Sequence, residues 1–219
     1  MDLYDGLMTL KAIRRYTDEP VTEDEIQACL KAAIQAPNGG NIQPWQFLVI
    51  TDSEVKRGVG EIYRRAFDRY EPRVAEATPP PRNEEAAVIQ TKTRASARYL
   101  ADNIGSAPAL VAFLMPNITM TLHDEAGDLD IGTPFASIYP AVQNFMLAAR
   151  SMGIGTTLTT VYRIYQQEVR DLLSIPERYE IIALVPMGRP KGHFGVAPRR
   201  PVESVTHWNT FGSRRTPPG

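Results

Sequence analysis

Four short stretches of this 219-residue chain gather the side chains that could do chemistry. The first, Lys11-Ala12-Ile13-Arg14-Arg15-Tyr16, places three cations at the exit of a helix. Such a run is either a solvated face or an anion site. The second is Ala36-Pro37-Asn38-Gly39-Gly40-Asn41-Ile42-Gln43-Pro44-Trp45. Its two glycines let backbone approach a flat ligand, and Asn41 and Gln43 offer amide donors and acceptors. A helix-to-strand turn with Trp45 in the core would explain the tryptophan, but not the density of amides. The third, Gly153-Ile154-Gly155-Thr156-Thr157-Leu158-Thr159-Thr160, has some of the look of a dinucleotide-binding loop. That loop must follow a strand and open a helix, whereas this stretch follows a helix, so the reading fails. The fourth, Pro198-Arg199-Arg200-Pro201, is another local cationic site.

Other chemistry finds less support. His123, His193 and His207 are scattered and suggest surface positions, with no Ser-His-Asp set. Cys29 falls on the stripe Ile26, Cys29, Leu30, Ala33, Ile34, the inner face of a helix, and reads as a packed thiol. A single cysteine excludes an internal disulfide and a thiolate metal cluster. His123-Asp124-Glu125 with Asp128 and Asp130 matches no calcium loop and reads as a solvated acidic loop. No metal site is expected.

The elements that must position these stretches follow from periodicity. Leu3, Leu7 and Leu10 mark a helix over residues 2–13 with Asp2 as its cap. Thr22-Glu23-Asp24-Glu25 is a capping box that opens a helix to about residue 36. Buried strands are expected over 45–51, 109–115 and 179–185, and an extended segment over 156–161. Helices are expected over 53–70, 90–103 and 166–174. Thr133-Pro134 starts another, which Gly153 ends and Pro140 should kink or break. Residues 70–85, with Pro72, Pro79, Pro80 and Pro81, read as a mobile loop or lid. The arm over 189–219 has no hydrophobic period; with Trp208 and Phe211 as anchors, it should drape over a partner surface.

Bulk properties fit one domain spanning residues 1–219, with 43% hydrophobic and 22% charged residues. The formal charge of −1 gives no pull toward nucleic acid or an anionic membrane. The longest apolar run, 107–115, is too short to span a bilayer, and acids stand where a signal peptide carries bases. A cytoplasmic address is the expectation.

Taken in order, the segments resemble the nitroreductase superfamily of FMN enzymes along nearly the whole chain. They are Arg14-Arg15-Tyr16-Thr17-Asp18-Glu19-Pro20-Val21, residues 36–50, Gln143-Asn144-Phe145-Met146-Leu147-Ala148-Ala149-Arg150, the glycine-threonine turn, and Ile182-Ala183-Leu184-Val185-Pro186-Met187-Gly188-Arg189-Pro190 before a basic arm. The resemblance implies an α+β fold with a central mixed or antiparallel sheet packed by helices. It also implies an intertwined homodimer with FMN at the subunit boundary. By position, Lys11, Ala12 and Arg14 would grip the phosphate and polar edge of the flavin. Pro37, Asn38, Gly39 and Asn41 would come from the other subunit to cover the ring system. Thr157, Leu158 and Thr159 would meet the ring near N5, and Arg199 and Arg200 would bind phosphate. Departures are visible. Many relatives carry Arg-Arg-Ser-x-Arg where this chain has Leu10-Lys11-Ala12-Ile13-Arg14, Asn38 stands where serine is common, and Ala197 replaces a frequent lysine. The implied activity is hydride transfer from NADH or NADPH to a small acceptor, nitroaromatic or quinone, in ping-pong order. The same motifs also serve flavin-degrading and dehalogenating enzymes, and a protein that holds FMN without turnover stays open.

Overall fold

A computed structural model describes residues 1–117, 122–129 and 132–215. In chain order the helices are α1 (Leu3–Thr9), α2 (Glu23–Ala33), α3 (Ser53–Ala77), α4 (Glu84–Asn103), α5 (Tyr139–Ser151) and α6 (Gln166–Leu172). The strands are β1 (Gln46–Ile50), β2 (Ala109–Pro116), β3 (Leu122–Asp124), β4 (Gly127–Leu129), β5 (Gly155–Thr156) and β6 (Tyr179–Gly188). Four of them form one antiparallel sheet in the order β1-β2-β6-β5. Of the two sheet types implied by the resemblance, the structure has the antiparallel one.

The sheet is buried on both faces, which is why β2 reads as an unbroken apolar run. Val111, Phe113 and Met115 point into a core built with α2 and α5, where Cys29 and Phe145 also lie. Leu110, Ala112 and Leu114 point into a second core with Tyr63, Phe67, Leu100 and Tyr162. The period-2 alternation breaks once. Phe113 pairs with Ala183 but Leu114 pairs with Ile181, leaving Ile182 as the extra residue of a bulge. The bulge sets both Ile182 and Ala183 on the α2 and α5 side, and keeps Leu184 opposite.

Local signals hold at several ends. The Asp2 carboxylate accepts the Tyr4 amide at 3.0 Å, and the Thr22–Glu25 capping box is complete. Cys29 is fully buried, and desolvation pushes its thiol up to about 12.

Other expectations need correction. α1 stops at Thr9, because residues 13–17 bond instead to Thr156 and to residues 189–191. The helix expected from Thr133 does break beside Pro140, as that residue leads one to expect: a 3-10 turn Pro134–Ser137 is followed by α5. Pro140 sits in the first turn of α5, where its missing N–H costs nothing. The acidic loop around His123 is a hairpin of β3 and β4; Asp130 lies outside the described residues.

The largest difference concerns residues 70–85. α3 continues through Pro72 to Ala77, and α4 starts at Glu84, leaving a connection of residues 78–83. A helix-interior proline costs about 3 kcal/mol, so tertiary contacts must offset it. Arg98 of α4 supplies them. It meets Glu71 through Nε at 3.1 Å and Asp68 through Nη1 at 2.7 Å, and lies over the Phe67 ring at 4.8 Å. These partners all lie just before the proline, so the clamp ties α3 to α4 immediately ahead of the point where local propensity would end the helix.

Phe113 joins the faces of its core, edge-on to Phe47 at 5.3 Å and to Phe145 at 5.4 Å. Truncation by Phe113→Ala should cost about 3–5 kcal/mol, read as a drop in the urea midpoint at unchanged slope.

Candidate functional site

The cationic stretch is positioned by its backbone. The Ile13 amide donates to the Thr156 carbonyl at 2.9 Å, and the Lys191 amide donates to the Arg15 carbonyl at 2.9 Å. Beyond them the Thr17 amide donates to the Arg189 carbonyl at 2.8 Å. The segment is thereby laid along β5 and the start of the arm. Gly155 allows this approach. A Cβ there would stand 2.6 Å from Ile13 Cγ2, so only glycine fits.

Below the segment, the Tyr16 hydroxyl donates to the Ile13 carbonyl at 2.5 Å and reaches the Pro186 carbonyl at 3.2 Å. The Tyr63 hydroxyl shares a hydrogen bond of 2.8 Å with Thr159 Oγ1. Burial pushes both phenols above the ordinary tyrosine range. The Arg14 charge opposes the push at both, together with the Thr159 hydrogen bond at Tyr63. Arg14 therefore acts electrostatically on the same buried layer that holds the glycine-threonine turn.

In that turn Thr156, Thr157 and Thr159 are buried while Leu158 is 36% exposed. The Thr159 amide and carbonyl pair with Leu184, extending β6 by an isolated bridge beyond β5. Thr156 Oγ1 is buried without a hydrogen-bond partner among the described residues. Most such groups are satisfied in folded proteins, so an unpaired one beside a candidate site is informative.

Lys11, Ala12, Arg14 and Arg15 line a cavity of about 330 Å3, together with Lys92, Thr93 and Ser96 of α4 and His193 of the arm. No carboxylate lines it. Like charges gathered without a carboxylate repel one another, and an anion among them would relieve that repulsion. Arg15 stacks on Tyr99 at 3.7 Å from the ring centroid.

The amide turn lies in a different cavity of the same chain. Pro37, Asn38, Gly39, Gly40 and Ile42 line a space of about 680 Å3 with Thr133, Pro134, Ser137 and Pro140. Its conformation is strained: Gly40, Asn41 and Gln43 have φ of 58°, 54° and 51°. Asn38 fastens it, its Oδ1 accepting the Gln43 amide at 2.9 Å, while Ser137 Oγ accepts the Gly39 amide at 3.2 Å. A left-handed glutamine costs roughly 1–2 kcal/mol, and such strain collects at ligand sites.

Within one chain, then, Lys11, Ala12 and Arg14 share a cavity, and Ile13 among them bonds to Thr156 at the head of the threonine turn. Pro37, Asn38 and Gly39 are lined up elsewhere, with Asn41 in their turn. Arg199 and Arg200 are exposed on the arm and reach neither cavity; Arg199 Nη1 donates to the Pro198 carbonyl at 3.1 Å. The arm does pass the first cavity, since Gly192 and His193 line it and Gly195 stands beside the Lys11 ammonium. Sequence reasoning missed Tyr63, Lys92 and Ser96. A sequence signal existed only for the last two, which share a helix face with Tyr99 at i, i+4 and i+7 spacing. Among the described residues no group of three His, Cys, Asp or Glu is placed to hold a metal, and no helix is long and apolar enough to cross a membrane.

Replacing Gln43 by glycine should relieve the strained φ and raise the melting temperature by about 2–4 °C, measured by differential scanning calorimetry. An unchanged or lowered melting temperature would show that the turn is not strained at this residue.

Several known proteins are similar to this chain. A putative NADH dehydrogenase/NAD(P)H nitroreductase of Archaeoglobus fulgidus is 28% identical over 187 residues, covering 84% of this chain and 83% of that protein. A 5,6-dimethylbenzimidazole synthase of Rhodospirillum rubrum is 26% identical over 193 residues, covering 85% and 83%. The solved structure of an iodotyrosine deiodinase bound to FMN and 3-iodo-L-tyrosine shares the fold, with a TM-score of 0.73 and 24% identity over 96% of this chain and all of that one. The nitroreductase family model matches residues 9–189, from the cationic stretch to the end of β6. The chain belongs to the nitroreductase family and is an oxidoreductase of that family.

Proposed function

We propose that the protein is an FMN-dependent enzyme that passes reducing equivalents from NADH or NADPH to a small acceptor, a nitroaromatic or a quinone. The observation that carries this reading is the carboxylate-free cavity of Lys11, Arg14 and Arg15, pinned by the Ile13–Thr156 bond to the Thr157–Thr159 turn. The residues present fit the group. Three cations suit a phosphate and an electron-rich ring edge, and the buried Thr156 hydroxyl lacks a partner beside the turn. Bound FMN would supply the two-electron chemistry, taking hydride from the nicotinamide and yielding it to the acceptor in ping-pong order.

The chain's own residues do the rest. Lys11 and Arg15 hold the phosphate. Arg14 stabilises the negative charge that reduction builds on the ring's polar edge. Thr157, Leu158 and Thr159 fix the ring's height through backbone groups, with the Tyr63 hydroxyl bracing Thr159 from below. Pro37, Asn38, Gly39 and Asn41 of a second copy cover the ring.

That second copy is part of the proposal. Leu3, Tyr4 and Leu7 of α1 are exposed, as are Val196, Val202 and the 93% exposed Phe211 of the arm. Exposed apolar surface on two such elements supports a homodimer. It would also bring the turn at residues 37–41 to a cavity that one chain leaves open.

The test is spectroscopic. Protein purified with FMN should be yellow, run as a dimer in light scattering, and bleach on anaerobic mixing with NADH or NADPH. An acceptor panel of a nitroaromatic, a quinone and 3-iodotyrosine then assigns the second half-reaction. Protein that stays colourless with added FMN overturns the reading. Arg14→Ala should weaken FMN retention by about ten- to hundredfold while the far-UV circular dichroism stays native. Undiminished retention and reduction rate would remove Arg14 from the site.

A further inference from the structure

The cavity that holds Lys11, Arg14 and Arg15 has a second wall to which the flavin reading gives no task. Lys92, Thr93 and Ser96 of α4 form it, with His193 from the arm. On α4, Lys92, Ser96 and Tyr99 stand at i, i+4 and i+7 and so share one face. Tyr99 carries the Arg15 guanidinium 3.7 Å from its ring centroid, which docks this face against the cationic segment. Lys92 is therefore presented to the cavity by a helix fixed at the Tyr99 end.

The charges do not balance with a single anion. Lys11, Arg14, Arg15 and Lys92 bring four positive charges to a space of about 330 Å3 that no carboxylate lines. A phosphate monoester carries roughly 1.5 to 2 negative charges at neutral pH. About two cations then stay uncompensated. Lys11, Arg14 and Arg15 come from one segment, which the Ile13–Thr156 bond fixes beside the threonine turn. Lys92 comes from a different element, and no ion pair or hydrogen bond engages it among the described residues. Beside it, the Thr93 and Ser96 hydroxyls can each donate a hydrogen bond. An ammonium flanked by two hydroxyl donors suits an oxyanion and offers little to a neutral aromatic ring.

We propose that Lys92, with Thr93 and Ser96, is a subsite for a second anionic group, a carboxylate or phosphate carried by a substrate that meets the flavin. The proposal rests on the flavin reading for the identity of the first anion; the cavity and its surplus charge stand without it. It makes Lys92 a determinant of which substrates the enzyme prefers.

Calorimetric titration of the purified full-length protein tests it. The ligands are two pairs that differ in one anionic group: 4-nitrobenzoate with nitrobenzene, and 2′,5′-ADP with 5′-AMP. Wild type should prefer the more anionic member of at least one pair. Lys92→Gln should cut that preference by about tenfold and Lys92→Arg should retain most of it. Loss within the nitrobenzoate pair assigns the anion to the acceptor; loss within the nucleotide pair assigns it to the nicotinamide donor. Both preferences staying within about twofold of wild type, in a Lys92→Gln protein of native circular dichroism, overturns the subsite. The visible spectrum of the same samples separates this result from the flavin reading. Yellow protein without Lys92 dependence refutes the subsite alone. Colourless protein with Lys92 dependence keeps the subsite and refutes the flavin.

Discussion

One backbone contact organises the molecule's chemistry: the Ile13 amide on the Thr156 carbonyl, at a distance that only Gly155 permits. The contact fixes a cation-bearing segment to the short edge strand of a sheet that is otherwise buried on both faces. The tyrosines below it repeat the arrangement in side chains. Tyr16 ties the segment to the β6 carbonyl of Pro186, and Tyr63 ties the threonine turn to α3. Charges on long side chains lose entropy when held, so a site that depends on them benefits from a backbone that cannot drift. The sheet supplies that rigidity.

The same logic explains the far end of the fold. Arg189 follows β6 directly, and its guanidinium meets Glu25 at 2.5 Å, Glu19 at 3.1 Å and the Met152 carbonyl at 3.0 Å. One side chain thus joins the start of α2, the approach to it and the end of α5. The arm departs from a point fixed in three directions, and its exposed apolar residues are displayed from there.

Much of this was legible in the residues themselves. Capping chemistry at Asp2 and Thr22, the apolar runs of β2 and β6, and the buried stripe of Cys29 are local signals, and each is observed. The ordered motifs carried the family because they span residues far apart in sequence that the fold brings together. What escaped was set by distant partners. Pro72 reads as a helix stop until Arg98, on another helix, is seen to hold the residues just before it. Lys92 is one more charge on a helix surface until Arg15 on Tyr99 shows what that surface faces. The bulge at Ile182 leaves no mark in composition, because the residues on either side are equally apolar.

A cluster of like charges without counter-charges has a thermodynamic cost that the native state bears until something relieves it. If an anion binds among Lys11, Arg14 and Arg15 as proposed, it would act on the whole polypeptide as well as on its reaction. Occupancy and folding share one free energy, so the working lifetime of the chain in a cell would track the local supply of its ligand. A poorly loaded population would be the first to reach proteases, leaving the surviving molecules enriched in those ready to turn over.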